Sequence, residues 1–174
     1  AYAAGCATAV VTKLARDDLA SLAPFQEVGI PVFSAMSSQT TSIKNVYTTP
    51  DLDRRSCFMI AMAEPFQKKD FPQDLNAKIY QIASLIAGEV PLDVLKFLAQ
   101  KGKIGIDVQG FIRTAVGHEL VSKDWKDKYE AFPMIDFLKT DAAEAETLTG
   151  CTDRSQALQA LAAMGAKEIV LTHS

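Results

Sequence analysis

Leu138-Lys139-Thr140-Asp141-Ala142-Ala143-Glu144-Ala145-Glu146-Thr147-Leu148-Thr149-Gly150 is the stretch whose reading decides the fold. Met134 to Lys139 is an apolar run that reads as a buried strand. It passes without a linker into a helix carrying Ala145, Leu148 and Thr149, which Gly150 stops. Asp141 stands at the N-cap and Glu144 three residues on, the spacing of a capping pair that satisfies orphan amides and complements the helix dipole. On spacing alone, that structural reading accounts for both acids.

The same alternation continues on either side. Ser155 to Met164 repeats the helical spacing through Leu158 and Leu161, Gly165 stops it, and Glu168 to Thr172 is another buried strand. Upstream, Tyr80 to Ile86 is apolar, Pro91 opens a helix with Leu92, Leu95 and Leu98 on one stripe, and Lys103 to Asp107 is the next strand. Short apolar strands separated by amphipathic helices predict an α/β domain with a mainly parallel sheet covered by helices. The stretch between Asp107 and Met134 is less regular, with Trp125 as an anchor.

The first third differs. Ala1 to Ala4 reads as a last helical turn stopped by Gly5, Ala7 to Thr12 as a strand, Lys13 to Asp18 as a loop, and Leu19 to Val28 as a weak helix. Thr40 to Thr49 and Arg54 to Ala63 flank Pro50-Asp51-Leu52-Asp53, which predicts a β-hairpin over about 38–64 set apart from the main sheet.

The composition is 48% hydrophobic and 22% charged with a net charge of −3, which excludes disorder and offers no basic footprint for nucleic acid. No apolar stretch reaches the roughly 20 residues of a membrane helix, so a soluble, cytoplasmic protein with no membrane partner is expected. Cys6, Cys57 and Cys151 are too scattered for a disulfide framework or a CxxC metal site. His118 and His173 lack zinc spacing, and neither a Walker A loop nor a glycine-rich dinucleotide fingerprint occurs.

With the residues set out, the chain resembles the ribokinase-like (PfkB) family of carbohydrate and nucleoside kinases. Asp141 to Gly150 is similar to that family's Asn-x-x-Glu followed by Ala-Glu-x-Leu-x-Gly, with Asp141 where Asn is usual. Ile104-Gly105-Ile106-Asp107-Val108-Gln109-Gly110-Phe111-Ile112-Arg113 is similar to its Asp-Pro-Gln-Gly-Phe-x-Arg, with Val108 replacing Pro. The order of Val11-Thr12-Lys13, Asp17-Asp18, Gly29-Ile30, Thr40-Thr41, Asn45-Val46-Tyr47 and Arg54-Arg55, ending in Gly165 to Thr172, extends the likeness over nearly the whole chain.

The resemblance implies a Rossmann-like, ribokinase-like fold in which residues 1–174 are part of one kinase domain and the hairpin is a lid. It implies ATP and Mg2+ as cofactors, and transfer of the γ-phosphoryl group to a hydroxyl of a sugar or nucleoside. Asp141, Glu144 and Thr172 would lie by the nucleotide and its phosphates, Glu144 holding Mg2+ through water. Asp107, Gln109 and Arg113 would face substrate or phosphate, with an Asp107–Arg113 ion pair as the structural alternative. Thr40, Thr41, Asn45 and Tyr47 would belong to the lid, through which a homodimer is expected.

The family's general base belongs to a Gly-Ala-Gly-Asp motif that these 174 residues do not contain. No catalytic base is therefore assigned; it is expected downstream of Ser174, and the chain alone is expected to be inactive. His173-Ser174 also departs from the family pattern after Thr172. A non-catalytic sugar- or nucleotide-binding relative is the alternative, and a dinucleotide-dependent oxidoreductase is opposed by the missing glycine fingerprint.

Overall fold

The computed structural model describes residues 1–47 and 55–172. Strands β1 (Val10–Ala15) and β2 (Val32–Ser37) pair in parallel, Val10 opposite Val32, and 3-10 turns over Arg16–Leu22 and helix α1 (Ala23–Glu27) connect them. The expected strand at Ala7 to Thr12 thus lies three residues later, and the expected loop at Lys13 is strand. The sequence reading missed β2, whose pairing is with a strand some twenty residues away and is not encoded locally.

β3 (Ser42–Tyr47) and β4 (Arg55–Ala61) form the predicted antiparallel hairpin, with Asn45 opposite Cys57. The predicted turn at Pro50-Asp51-Leu52-Asp53, and Arg54, lie outside the described residues. After β5 (Ile79–Ile82), α2 (Leu92–Ala99), β6 (Lys103–Asp107) and α3 (Gln109–Ile112) comes a second hairpin, β7 (Arg113–Val116) and β8 (Glu119–Ser122). It joins the first through Phe58 opposite Glu119, making an antiparallel sheet in the order β3-β4-β8-β7. What reads in sequence as an irregular stretch is therefore half of that sheet.

The main sheet is parallel, in the order β10-β9-β6-β5, with β9 spanning Ile135–Asp141 and β10 spanning Glu168–Thr172. Helices α4 (Lys128–Ala131), α5 (Ala142–Thr149) and α6 (Arg154–Ala163) complete the chain. This is the Rossmann-like, mainly parallel sheet with covering helices expected from the alternation of strands and helices, and its strands follow one another in a single direction across the sheet.

Its core is the continuous apolar face of β6, β9 and their helices: Leu95, Ile104, Ile106, Ile135, Leu138, Leu148 and Leu161 are fully buried. Each such side chain contributes about 1.5–3 kcal/mol of transfer free energy. Trp125 is buried between Phe111 and Phe132, at 4.5 and 6.0 Å between ring centroids, so it is an anchor of the core. Lys128 is buried as well. It donates to Asp124 and to the Leu148 carbonyl at 2.6 Å, closing the C-terminal end of α5 where a cation favours the helix dipole. The three cysteines are unpaired thiols, and among the described residues no helix is long and apolar enough to cross a membrane.

Candidate functional site

Parallel strands deliver their last residues to one edge, and here that edge gathers the acids and hydroxyls singled out in the sequence. Asp107 closes β6 and lies in register with Lys139 of β9, while Thr172 closes β10 in register with Asp141. The Thr172 hydroxyl donates across to the Thr140 carbonyl of β9 at 3.4 Å.

Asp141 and Glu144 form the reciprocal capping box that their spacing predicts. The Glu144 amide donates to Asp141 Oδ1 at 2.8 Å, and the Asp141 amide donates to Glu144 Oε2 at 2.8 Å. Glu144 is only 6% exposed. Burial pushes its carboxyl above the usual carboxylate value, the Asp141 amide pulls it down, and the Asp141 charge adds to the rise. Asp141→Ala is expected to lower stability by about 1 kcal/mol by uncapping α5, whereas Asp141→Asn retains the acceptor oxygen and changes it by less than about 0.5 kcal/mol. Thermal melts of the two variants check both values.

Asp107 pairs with Lys139 at 3.1 Å rather than with Arg113, and its Oδ1 accepts from the Gln109 amide at 3.2 Å. Burial alone would lower the Lys139 value, but the Asp107 hydrogen bond and the charges of Asp107, Glu144 and Asp141 outweigh it and hold the ammonium protonated. In the sequence Lys139 stands inside the apolar strand with no role marked by its neighbours. Its signal was strand parity, which places residues 139 and 141 on one face. Arg113 opens β7 and its carbonyl accepts from the Ala87 amide at 2.8 Å, so it borders the edge from the antiparallel sheet.

Beside this edge, at the end of β5, the Ser84 hydroxyl is buried and has no hydrogen-bond partner. It lies against Gly110, where a β-carbon would stand 2.0 Å from Ser84 Oγ and 2.3 Å from the Ser84 carbonyl oxygen. Gly110 is thus required by space, and it lets helix α3, which opens at Gln109, approach the segment that follows β5.

A second polar cluster lies at the ends of β1 and β2, around an open cavity of about 310 Å3 lined by Lys13, Ser37, Ser38, Glu64, Gln67 and Lys69. The Ser37 and Ser38 hydroxyls both donate to the Glu64 carboxylate, Ser38 at 2.6 Å, and the Ser38 amide adds a bond at 3.1 Å. Hydrogen bonds from Ser37 and then Ser38 hold this exposed carboxyl at about 2. Lys13 donates to Asp70 at 2.9 Å and to the Pro65 carbonyl at 3.1 Å. None of these roles was legible in the sequence, because Ser37 and Glu64 are 27 residues apart.

The lid residues divide. Thr40 Oγ1 accepts from the Ala15 amide at 2.9 Å and donates to Asp18, and Thr41 Oγ1 accepts from the Ala63 amide at 3.0 Å. Both hydroxyls therefore fasten the root of the hairpin. Asn45 Oδ1 accepts from the Cys57 thiol at 2.8 Å, and Tyr47 is exposed on the hairpin's first strand. His173 and Ser174 lie outside the described residues.

Among the described residues no cluster of three or more His, Cys, Asp or Glu could enclose a metal. Mg2+ does not require such a cage, since it keeps most of its waters and leans on one or two carboxylates and on substrate phosphates. Glu144 fits that lesser demand: Oε2 is taken by the Asp141 amide, while Oε1 has no partner among the described residues and is not among the buried unpartnered atoms.

A parallel sheet with acids and a lysine at its carboxyl edge, beside an antiparallel sheet, places the chain in the α/β class. No family model and no curated protein matches it. Among solved structures, a pyrophosphate-dependent kinase in the ribokinase family, seen as a sulfate complex, aligns with a TM-score of 0.89 at 35% identity, over 98% of this chain and 60% of its own. A pyrophosphate-dependent kinase in the ribokinase family complexed with a pyrophosphate analog and myo-inositol gives 0.87 at 33%, over 96% and 59%. Arabidopsis thaliana ribokinase complexed with ribose and ATP gives 0.60 at 17%, over 94% and 55%, a likeness of fold alone. This chain shares the ribokinase-like fold of these kinases, at 33–35% identity to the first two, and it spans about 60% of their length.

Proposed function

We propose that the protein carrying this chain transfers a phosphoryl group to a hydroxyl of a small polyol, a sugar or a cyclitol. The observation that carries the proposal is the cluster of Asp107, Lys139, Asp141 and Glu144 at the carboxyl edge of the parallel sheet. Lys139 supplies a fixed cation for a donor phosphate, with Asp107 orienting it. Phosphoryl transfer relies chiefly on such positioning and charge neutralisation. Glu144 would hold, through Oε1 and a water, the Mg2+ that neutralises donor phosphate charge.

The acceptor oxygen forms the new P–O bond, the bond from phosphorus to the leaving phosphate breaks, and the acceptor proton goes to a base. By resemblance that base belongs to a Gly-Ala-Gly-Asp motif downstream of these residues. For the acceptor, the Glu64 carboxylate with Ser37, Ser38 and Gln67 makes a cradle suited to vicinal hydroxyls, and the sheet β3-β4-β8-β7 is its lid. Exposed Tyr47, Ile60 and Val116 on that sheet favour pairing of two lids in a homodimer; a monomer mass in sedimentation of the full-length protein would refute it.

The donor is ATP, as the family at large implies, or pyrophosphate, as the named kinases at 33–35% identity imply. The second has the nearer support. The test is a 31P NMR assay of the full-length protein with each donor, against myo-inositol, ribose and a nucleoside, with and without Mg2+. Phosphoester appearing with one donor establishes the activity, and in that assay Glu64→Gln raises the acceptor KM with little change in Tm. Binding without any transfer would leave a non-catalytic relative.

A further inference from the structure

The opposite edge of the parallel sheet, where the strands begin, carries an open cavity of about 740 Å3 that the phosphoryl-transfer reading does not use. Lys78, Lys101, Lys103 and Lys167 line it, and Ile79 and Phe137 form its apolar floor. Its carboxylate, Asp136, is committed to structure: it pairs with Lys167 at 2.8 Å and accepts the Ile104 amide at 2.9 Å. Lys78, Lys101 and Lys103 have no carboxylate partner among the described residues. Lys103 Nζ stands 5.5 Å from the Phe137 ring centroid, and Ile79 is 48% exposed.

We propose that this cavity binds a nucleoside di- or triphosphate as a regulatory ligand, with the polyphosphate on Lys78, Lys101 and Lys103 and the base on Ile79 and Phe137. Lys101 also donates to the Gln73 carbonyl at 3.2 Å and Lys103 adds its charge to that of Lys167 at Asp136, but four amines against one carboxylate around one concavity still raise the local positive potential and call for a multivalent anion. A bare oxyanion would leave the apolar floor in water, whereas a planar base covers it and gains cation–π contact with the amine rim. Strand β6 runs from Lys103 to Asp107, so the two edges stand about 13–16 Å apart at about 3.3 Å per residue. A ligand here leaves the edge bearing Asp107 and Lys139 open, while touching the same strands.

The test is photolabelling of the full-length protein with 8-azido-ADP and peptide mapping, with calorimetric titration of ADP alongside. Label in the peptides containing Ile79 or Phe137, protected by ADP, is expected. The Lys78→Gln/Lys101→Gln/Lys103→Gln variant is expected to weaken ADP at this site by about ten-fold or more, with Lys139→Gln leaving it unchanged. Label confined to residues near Thr172 and Glu144, ADP affinity unchanged in the triple variant, or inorganic pyrophosphate binding there as tightly as ADP would each overturn the proposal. If the triple variant fails to fold, the labelling pattern of the unmodified protein decides alone.

Discussion

Gly110→Ala is expected to destabilise the protein by about 3 kcal/mol or more, read as a fall in the urea midpoint at unchanged slope. The added methyl would lie 2.3 Å from the Ser84 carbonyl oxygen and 2.6 Å from its carbon, and backbone cannot rotate away as a side chain can. Either the segment that follows β5 or helix α3 must move, so Gln109 and Arg113 at the two ends of α3 shift with the loss of stability. Gly150→Ala is the control: its φ of 73° is strained for alanine but a β-carbon there meets nothing within 4 Å, and the cost is about 1–2 kcal/mol. Ser84→Ala alone is neutral or stabilising, because it removes a buried hydroxyl without a partner. Combined with Gly110→Ala it rescues only part of the loss, since the carbonyl remains in the way. A Gly110→Ala protein as stable as the original would show that the two segments are not packed as described.

Lys13→Met is expected to cost about 3 kcal/mol, because it strands the Asp70 carboxylate. The two side chains are 7% and 8% exposed, and Asp70 Oδ2 also accepts the Gln67 amide at 2.8 Å. Removing one charge leaves the other desolvated and uncompensated, whereas Lys13→Met/Asp70→Leu removes both and is expected to recover most of the loss. The pH dependence has a definite sign. Burial would raise the Asp70 carboxyl, but the Lys13 hydrogen bond and the Gln67 amide outweigh it, so the folded value lies below the ordinary one. The stabilisation is present above the ordinary carboxylate value of about 4 and is lost as pH falls through the depressed folded value. Asp70→Asn should therefore lose stability at neutral pH and show a flatter acid limb. An acid limb identical to that of the unmodified protein would mean that the pair is not the source.

These two predictions concern residues that the sequence treated very differently. The motif containing Gly110 stands in the sequence as a run of adjacent residues, and its similarity to the Asp-Pro-Gln-Gly-Phe-x-Arg pattern marked it, though the reason for glycine was invisible until Ser84 was found against it. Lys13 was read as the start of a loop. It proved to be a strand residue anchoring a segment 57 residues away, and no local pattern announces such a partner. Arg113 illustrates a third case: its neighbourhood was legible, but the nearby Asp107 took Lys139 from the adjoining strand because parallel register, and not sequence proximity, sets the distance.

By itself the sequence determined the alternation of strand and helix over 80–107 and 134–172, the capping box of Asp141 and Glu144, the stop at Gly150 and the first hairpin. Each of these depends on interactions within a few residues, or on a period of apolar side chains that one segment carries alone. Tertiary structure alone decided the pairing of β1 with β2, the joining of two hairpins into one sheet, the Lys139–Asp107 pair, the Glu64 cradle and the lysine-lined cavity at the far edge. All of these bring together residues separated by twenty or more positions, or set the surroundings of charges through register, and such proximity exists only once the chain has folded.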